Sequence, residues 1–211
     1  MTTPTLPLTL SQACDTACVV RIVLRRDPLT DQPEWVSGHR YAITFYLEQL
    51  PVQAIVIETP WEDTAFFRAG SEWEVLLTKW LTEDFLPFLR PYNSIRYIIF
   101  GRDFRKAPLK EDSWRNLLVI LRKEDPERQW GFCGSHPDSI PACQAWDLLA
   151  MDYRLFYPPH ARPDYHARWE AVQKPLVLLY PNLYEPDKAT ALKERQRYWK
   201  KPPIALVLAS S

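Results

Sequence analysis

The residues best suited to chemistry fall into three groups. The first is a thiol and imidazole set: Cys14-x3-Cys18 near the start, then Cys133-x2-His136 and Cys143. Soft thiolates with one imidazole are the donors zinc prefers, about four in a tetrahedral array. The two halves are far apart in sequence, so only the fold can join them, and a buried cysteine is equally at home as a small hydrophobe. The expectation is no bound metal and no cofactor. Cys133 also has His136 nearby as a base for a thiol nucleophile, but no third group to orient the pair.

The second group is acidic. Between Glu58 and Asp84, seven carboxylates (Glu58, Glu62, Asp63, Glu72, Glu74, Glu83 and Asp84) face only Arg68 and Lys79. Glu58 closes an apolar run and Glu62 and Asp63 follow it, a place from which carboxylates can hold a divalent metal for phosphoryl chemistry. Pro60 stands where a nuclease Glu-x-Lys pattern needs lysine.

The third group is basic. Arg102, Arg105, Lys106 and Lys110 form one stretch, and Lys193, Arg195, Arg197, Lys200 and Lys201 another, with Trp114, Tyr198 and Trp199 interleaved. Such a surface can grip phosphates and stack bases. Asp103, Glu111, Asp112 and Glu194 dilute the charge, and the whole chain balances 26 basic against 26 acidic residues. Nucleic acid is therefore the lesser expectation beside a protein partner. Residues 1–100 hold 8 Lys+Arg against 12 Asp+Glu and residues 101–211 hold 18 against 14, so the halves complement each other. A neutral chain repels its own copies weakly, which leaves a homo-oligomer open.

Only five glycines are present, with neither GxGxxG nor GxxxxGK[ST], which excludes the common phosphate-cradling loops. Nine tryptophans are many, and six of them (Trp35, Trp61, Trp114, Trp130, Trp169 and Trp199) fall at element edges beside Pro, Arg or Glu. Aromatic and arginine side chains dominate protein interfaces. The sequence alone thus points to a non-catalytic binding, adaptor or assembly module that meets its partner through Trp61, Trp114, Trp130, Arg102, Arg105, Lys106, Trp199 and Arg197. The alternative is a metal-dependent phosphoryl-transfer or nucleic-acid-processing protein built on Glu58, Glu62 and Asp63.

The elements that must position these groups are read from periodicity. Residues 1–13 form a polar, Pro-interrupted arm. CVVRIVLRR from Cys18, HRYAITFYLEQ from His39 and VQAIVIE from Val52 predict three successive antiparallel strands. Trp73, Leu76, Leu77, Trp80 and Leu81 predict a helix over 72–86, with a Ser71 to Glu74 capping box and with Pro87 and Pro91 as its stop. Then come a strand at 95–101, a strand in WRNLLVILRK, a loop over 124–137, a helix within 140–157, a short helix at 164–172, the strand PLVLLY, a basic helix at 187–201 and the strand PIALVLA. The expected fold is α+β: a single domain over 14–211 whose mixed, largely antiparallel sheet, in the order βββαββααβαβ, is covered by helices. A division near 122–136 is the alternative. No run approaches the roughly 18 apolar residues of a membrane span and no export signal opens the chain, so the expected compartment is the cytoplasm.

Overall fold

The computed structural model describes residues 18–27, 29, 33–35, 39–50, 52–59, 72–101, 104, 109–152, 164–180 and 204–208. In chain order these form β1 (Cys18–Arg26), β2 (Pro33–Trp35), α1 (His39–Gln49), β3 (Val52–Glu58), α2 (Glu72–Trp80), a π-turn (Leu81–Phe85), α3 (Leu86–Leu89), β4 (Tyr97–Phe100) and α4 (Glu111–Glu124). β5 (Gln129–Gly134), 3-10 turns at Pro137–Ser139 and Cys143–Ala145, β6 (Leu148–Asp152), α5 (Asp164–Ala171), β7 (Leu176–Tyr180) and β8 (Ile204–Leu208) complete the series.

The sheet order is β2-β1-β3-β4-β5-β6-β7-β8, and β8 returns to pair with β1 at Cys18 and Val19. Every pairing from β1 through β3 to β8 is parallel, and only the short β2 runs antiparallel to β1. The described strands therefore close into a parallel barrel with helices outside. The expected antiparallel α+β sheet is corrected by this register: β1 and β3 lie side by side in the same direction, with α1 carrying the chain back between them.

Two packed layers follow from strand alternation. Val19, Ala54, Val56, Ile99, Cys133, Leu148, Ala150, Val177 and Leu179 fill the inside of the barrel. Their neighbours along the chain, among them Ile22, Ile57, Phe100, Phe132 and Met151, face outward under the helices. Because both faces are buried, the strands read as continuous apolar runs.

That double burial explains most of the differences from the sequence reading. HRYAITFYLEQ is a helix, packed through Ile43 and Leu47 with Tyr46 and Leu50 half buried, while Tyr41 and Phe45 stay exposed. WRNLLVILRK is also helical: Trp114, Leu117, Leu118 and Leu121 face the core at i, i+3, i+4 and i+7, and Val119 and Ile120 face out. Glu111 and Asp112 in its first turn and Arg122 and Lys123 in its last suit the helix dipole. The segment expected to be a loop holds β5, and in place of the helix expected within 140–157 the described residues form one 3-10 turn, Cys143–Ala145, and β6. Gly131 is required inside β5, since a Cβ there would lie 2.3 Å from Leu148 Cδ1.

The helix from Glu72 does not stop at Pro87. The Leu86 N–H donates to Leu81 O, a widened turn, and the helix continues through Pro87 to Leu89. Ser71, the arm at 1–13 and the basic helix at 187–201 lie outside the described residues. Among the described residues no helix is long and apolar enough to cross a membrane.

Buried polar groups tie the layers together. Arg128, 9% exposed, donates to Ile95 O at 3.0 Å and to Leu89 O and Tyr92 O, and pairs with Asp125. It thereby gives a second donor to Leu89 O and Tyr92 O, which already accept from the Tyr92 and Ile95 N–H groups, and ties the turns after α3 to the start of β5. Between β5 and β6, where a parallel connection usually carries an α-helix, Asp147 takes over. Its carboxylate accepts from the Trp130 N–H at 2.9 Å and from Arg122 of α4 at 2.6 Å.

Above β4 and β5, Phe100, Phe104, Trp114, Phe132 and Trp146 form one aromatic cluster, with ring centroids 5.1 to 5.7 Å apart for Phe100–Phe104, Phe100–Trp114, Trp114–Phe132 and Phe100–Trp146. Replacing Trp114 by Ala is expected to cost about 3–5 kcal/mol of folding stability, whereas Val119→Ala on the outer flank of the same helix stays within about 0.5. Chemical denaturation of both variants measures this, and equal small losses would place Trp114 at the surface.

Candidate functional site

At its carboxyl end the barrel interior changes from apolar to charged. Along β1, Val19, Arg21, Val23 and Arg25 alternate with Val20, Ile22 and Leu24, and the second set is the buried outer face. Arg21 is in register with Val56 and Val23 with Glu58, so Arg21 and Glu58 stand on the inner face near the mouth. Arg21 Nε lies 3.0 Å from Glu58 Oε2, with the two side chains 38% and 23% exposed. One step further out, Arg25 Nε donates to Glu34 Oε1 of β2 at 2.5 Å.

Glu58 owes its position to a glycine on the next strand. Gly101 follows β4, and its N–H donates to Ile57 O at 2.6 Å. A Cβ on Gly101 would lie 2.7 Å from Glu58 Cγ and 3.0 Å from Ile57 O. The stem of Glu58 therefore lies across a residue that has no side chain. The following strands carry Cys133 and Ala150 inside, so the wall beside Glu58 is lined by small groups. Asp152 occupies the last position of β6, in register with Leu179.

The loop after β5 holds a second polar group. His136 Nδ1 lies 3.1 Å from Asp138 Oδ2 and 3.2 Å from the Asp138 N–H, and His136 Nε2 lies 3.2 Å from Arg168 Nη1 of α5. The Asp138 N–H donates to His136 Nδ1 and caps the 3-10 turn at Pro137–Ser139. Ser139 Oγ donates to His136 O at 2.7 Å and fixes the turn.

Of the residues singled out from sequence, Glu58 lies in this mouth. Glu62, Asp63, Trp61, Arg102, Arg105, Lys106, Arg197, Trp199 and Cys14 lie outside the described residues. Trp114 and Trp130 are 1% and 0% exposed and Trp169 is equally buried, so these indoles fill the core instead of meeting a partner. Cys133 packs inside the barrel and Cys143 outside it, neither of them in a disulfide, with Cys18 in β1. Different layers separate Cys133 from Cys143, and among the described residues no three His, Cys, Asp or Glu side chains gather to hold a metal.

Sequence reasoning missed Arg21 and Gly101. The signal for Arg21 was the alternation of β1 itself, whose Val-Arg-Val-Arg face reads as a solvent face until the sheet closes around it.

No family model matches this chain, and no curated protein matches its sequence. Solved structures do match its fold. A GH113 β-1,4-mannanase superposes with a TM-score of 0.64 at 12% identity, over 95% of this chain and 79% of that chain. The GH113 β-mannanase AaManA from Alicyclobacillus acidocaldarius, in complex with ManMIm, gives 0.67 at 11% identity over 96% and 79%. A β-D-glucuronidase from Dictyoglomus thermophilum gives 0.52 at 8% identity over 92% of this chain and 43% of that chain. This likeness overturns the largely antiparallel fold expected from sequence. The adaptor or assembly reading and its phosphoryl-transfer alternative are corrected with it, since the matched structures are glycoside hydrolases and, of the tryptophans meant for a partner, the described Trp114 and Trp130 are interior.

Two outcomes follow from this geometry. Gly101→Ala is expected to lose about 1–3 kcal/mol of stability through overpacking against Glu58. In a Glu58→Ala background that cost should shrink by at least about 0.5 kcal/mol, and a double-mutant cycle that returned strict additivity would separate the two residues. Cys143 offers a pH-dependent test: burial, then the Asp138 charge, push its thiol above its ordinary range, with Lys174 opposing. Less thiolate at pH 8 means slower alkylation by iodoacetamide in the folded chain than in the denatured one. Site-resolved mass spectrometry measures both rates, and equal rates would contradict the shift.

Proposed function

We propose that this chain is a carbohydrate-active enzyme that hydrolyses a β-linked glycosidic bond in the mouth at the carboxyl ends of its barrel strands. The observation that carries the reading is a carboxylate, Glu58, held on the inner face at the mouth of a parallel α/β barrel whose matched solved structures include β-1,4-mannanases. Barrels of this kind do their chemistry at the carboxyl end, with working groups supplied by strand ends. The mannan-directed neighbours make a β-1,4-linked hexose chain the first substrate class to try.

Glycoside hydrolysis needs two carboxyl groups about the scissile bond, about 5–5.5 Å apart for retention or 6.5–9.5 Å for inversion. Glu58, 3.0 Å from the Arg21 guanidinium, is placed for the nucleophile or the base that activates water. The proton that goes to the leaving oxygen must then come from a second carboxylic acid. The C1–O bond breaks, the acid's proton passes to the departing oxygen, and water supplies the hydroxyl that ends on C1 while its other proton goes to the carboxylate acting as base, Glu58 in inversion or the spent acid in retention.

Glu58→Gln is expected to lower kcat/KM on β-1,4-linked manno-oligosaccharides or nitrophenyl β-glycosides by on the order of 10²–10⁴-fold while the chain stays folded. Reducing-sugar release measures this. Wild-type release no greater than that of Glu58→Gln across the panel would reject the reading.

A further inference from the structure

Arginine inside a barrel is costly unless its donors are met, because every buried N–H without an acceptor forfeits its hydration. Arg21 is such a residue. Its Nε is closed off from solvent and finds no acceptor in hydrogen-bonding geometry, although Glu58 Oε2 is 3.0 Å away. The pair is thus a charge contact and not the aligned, two-bonded fork that arginine forms with a carboxylate dedicated to it. The Nη nitrogens have no acceptor among the described residues, and the side chain is 38% exposed on the inner face of β1. Arg25, further out on the same strand, differs: its Nε makes a true hydrogen bond to Glu34.

We propose that the Nη edge of Arg21 is a recognition site for the carboxylate of a sugar acid, so that the mouth takes a β-linked uronide. The guanidinium then lies between two carboxylates, Glu58 on its Nε side and the ligand on its Nη side, where its planar donor pair matches two carboxylate oxygens at once. A neutral sugar offers that edge only uncharged hydroxyl oxygens, without the charge or the paired geometry of a carboxylate. This inference rests on the reading of the mouth as a sugar site and goes beyond it by naming the charge of the ligand.

The test is calorimetric titration of the full chain, at low salt, with methyl β-D-glucuronide and with methyl β-D-glucoside. Tighter binding of the uronide by at least about tenfold is expected. Arg21→Lys keeps the positive charge beside Glu58 but removes the fork, and should reduce the ratio of uronide to glucoside affinity by about tenfold. Arg21→Met, with folding checked by thermal denaturation, should abolish the preference. Equal affinities for the two sugars, a preference undiminished in Arg21→Lys, or selective binding of a 6-phosphoglucoside in place of the uronide would each overturn the proposal. Turnover is scored separately. Arg21-dependent uronide binding without hydrolysis keeps this inference and rejects the enzymatic reading, whereas hydrolysis of neutral glycosides with no uronide preference does the reverse.

Discussion

The structure depends on one backbone constraint: a parallel sheet leaves two open edges unless its ends meet. Here β8 returns to β1 through Cys18 and Val19, while β1 already pairs with β3 along its other side. Closure through so few residues leaves the upper part of the same β1 edge unpaired, and the antiparallel β2 covers it from Leu24 to Arg26. Backbone donors that would otherwise template aggregation are spent internally. The charged mouth is a by-product of the same arrangement, since β2 brings Glu34 opposite Arg25.

Closure also dictates what fits inside. A parallel barrel of few strands has little interior volume, and side chains must fill it without voids. Ala54, Ala150, Cys133, Gly131 and Gly101 supply the small groups, while Leu148 fills the space that Gly131 leaves. Glu58 uses the space at Gly101 in the same way. The site is thus an extension of the packing rule of the barrel: where the apolar filling ends, a glycine makes room for a carboxylate.

These relations were legible in the sequence only in part. β1, β3, β4, β7 and β8 were recognisable as short apolar runs, and α2 as a face of spaced tryptophans and leucines. α1 and α4 read as strands because Tyr41 and Phe45 or Val119 and Ile120, though exposed, are as apolar as the buried Ile43 or Leu118 beside them. β5 read as a loop because its two glycines, needed for contact with Leu148 and Ile140, look like turn residues in a single sequence. Strand direction was illegible altogether, since nothing local distinguishes a parallel from an antiparallel partner. Glu58 could be singled out from its place at a strand end. Its Arg21 neighbour could not, because their contact exists only through the β1–β3 register.

Polarity graded along the barrel axis gives the mouth its direction. On β1 the inner face passes from Val19 to Arg21, and on β3 from Ala54 and Val56 to Glu58. Below that level the interior is closed and apolar, so a charge there would bear its full desolvation cost. At that level the side chains are partly exposed, and the pair keeps some water while gaining from a lowered local dielectric. A charged pair in this position stabilises the fold little, because screening and desolvation offset most of its attraction. What it does set is the polarity of the carboxyl-end mouth. A polar molecule is met only where side chains offer donors and acceptors, and toward the carboxyl ends of β1 and β3 these are Arg21 and Glu58.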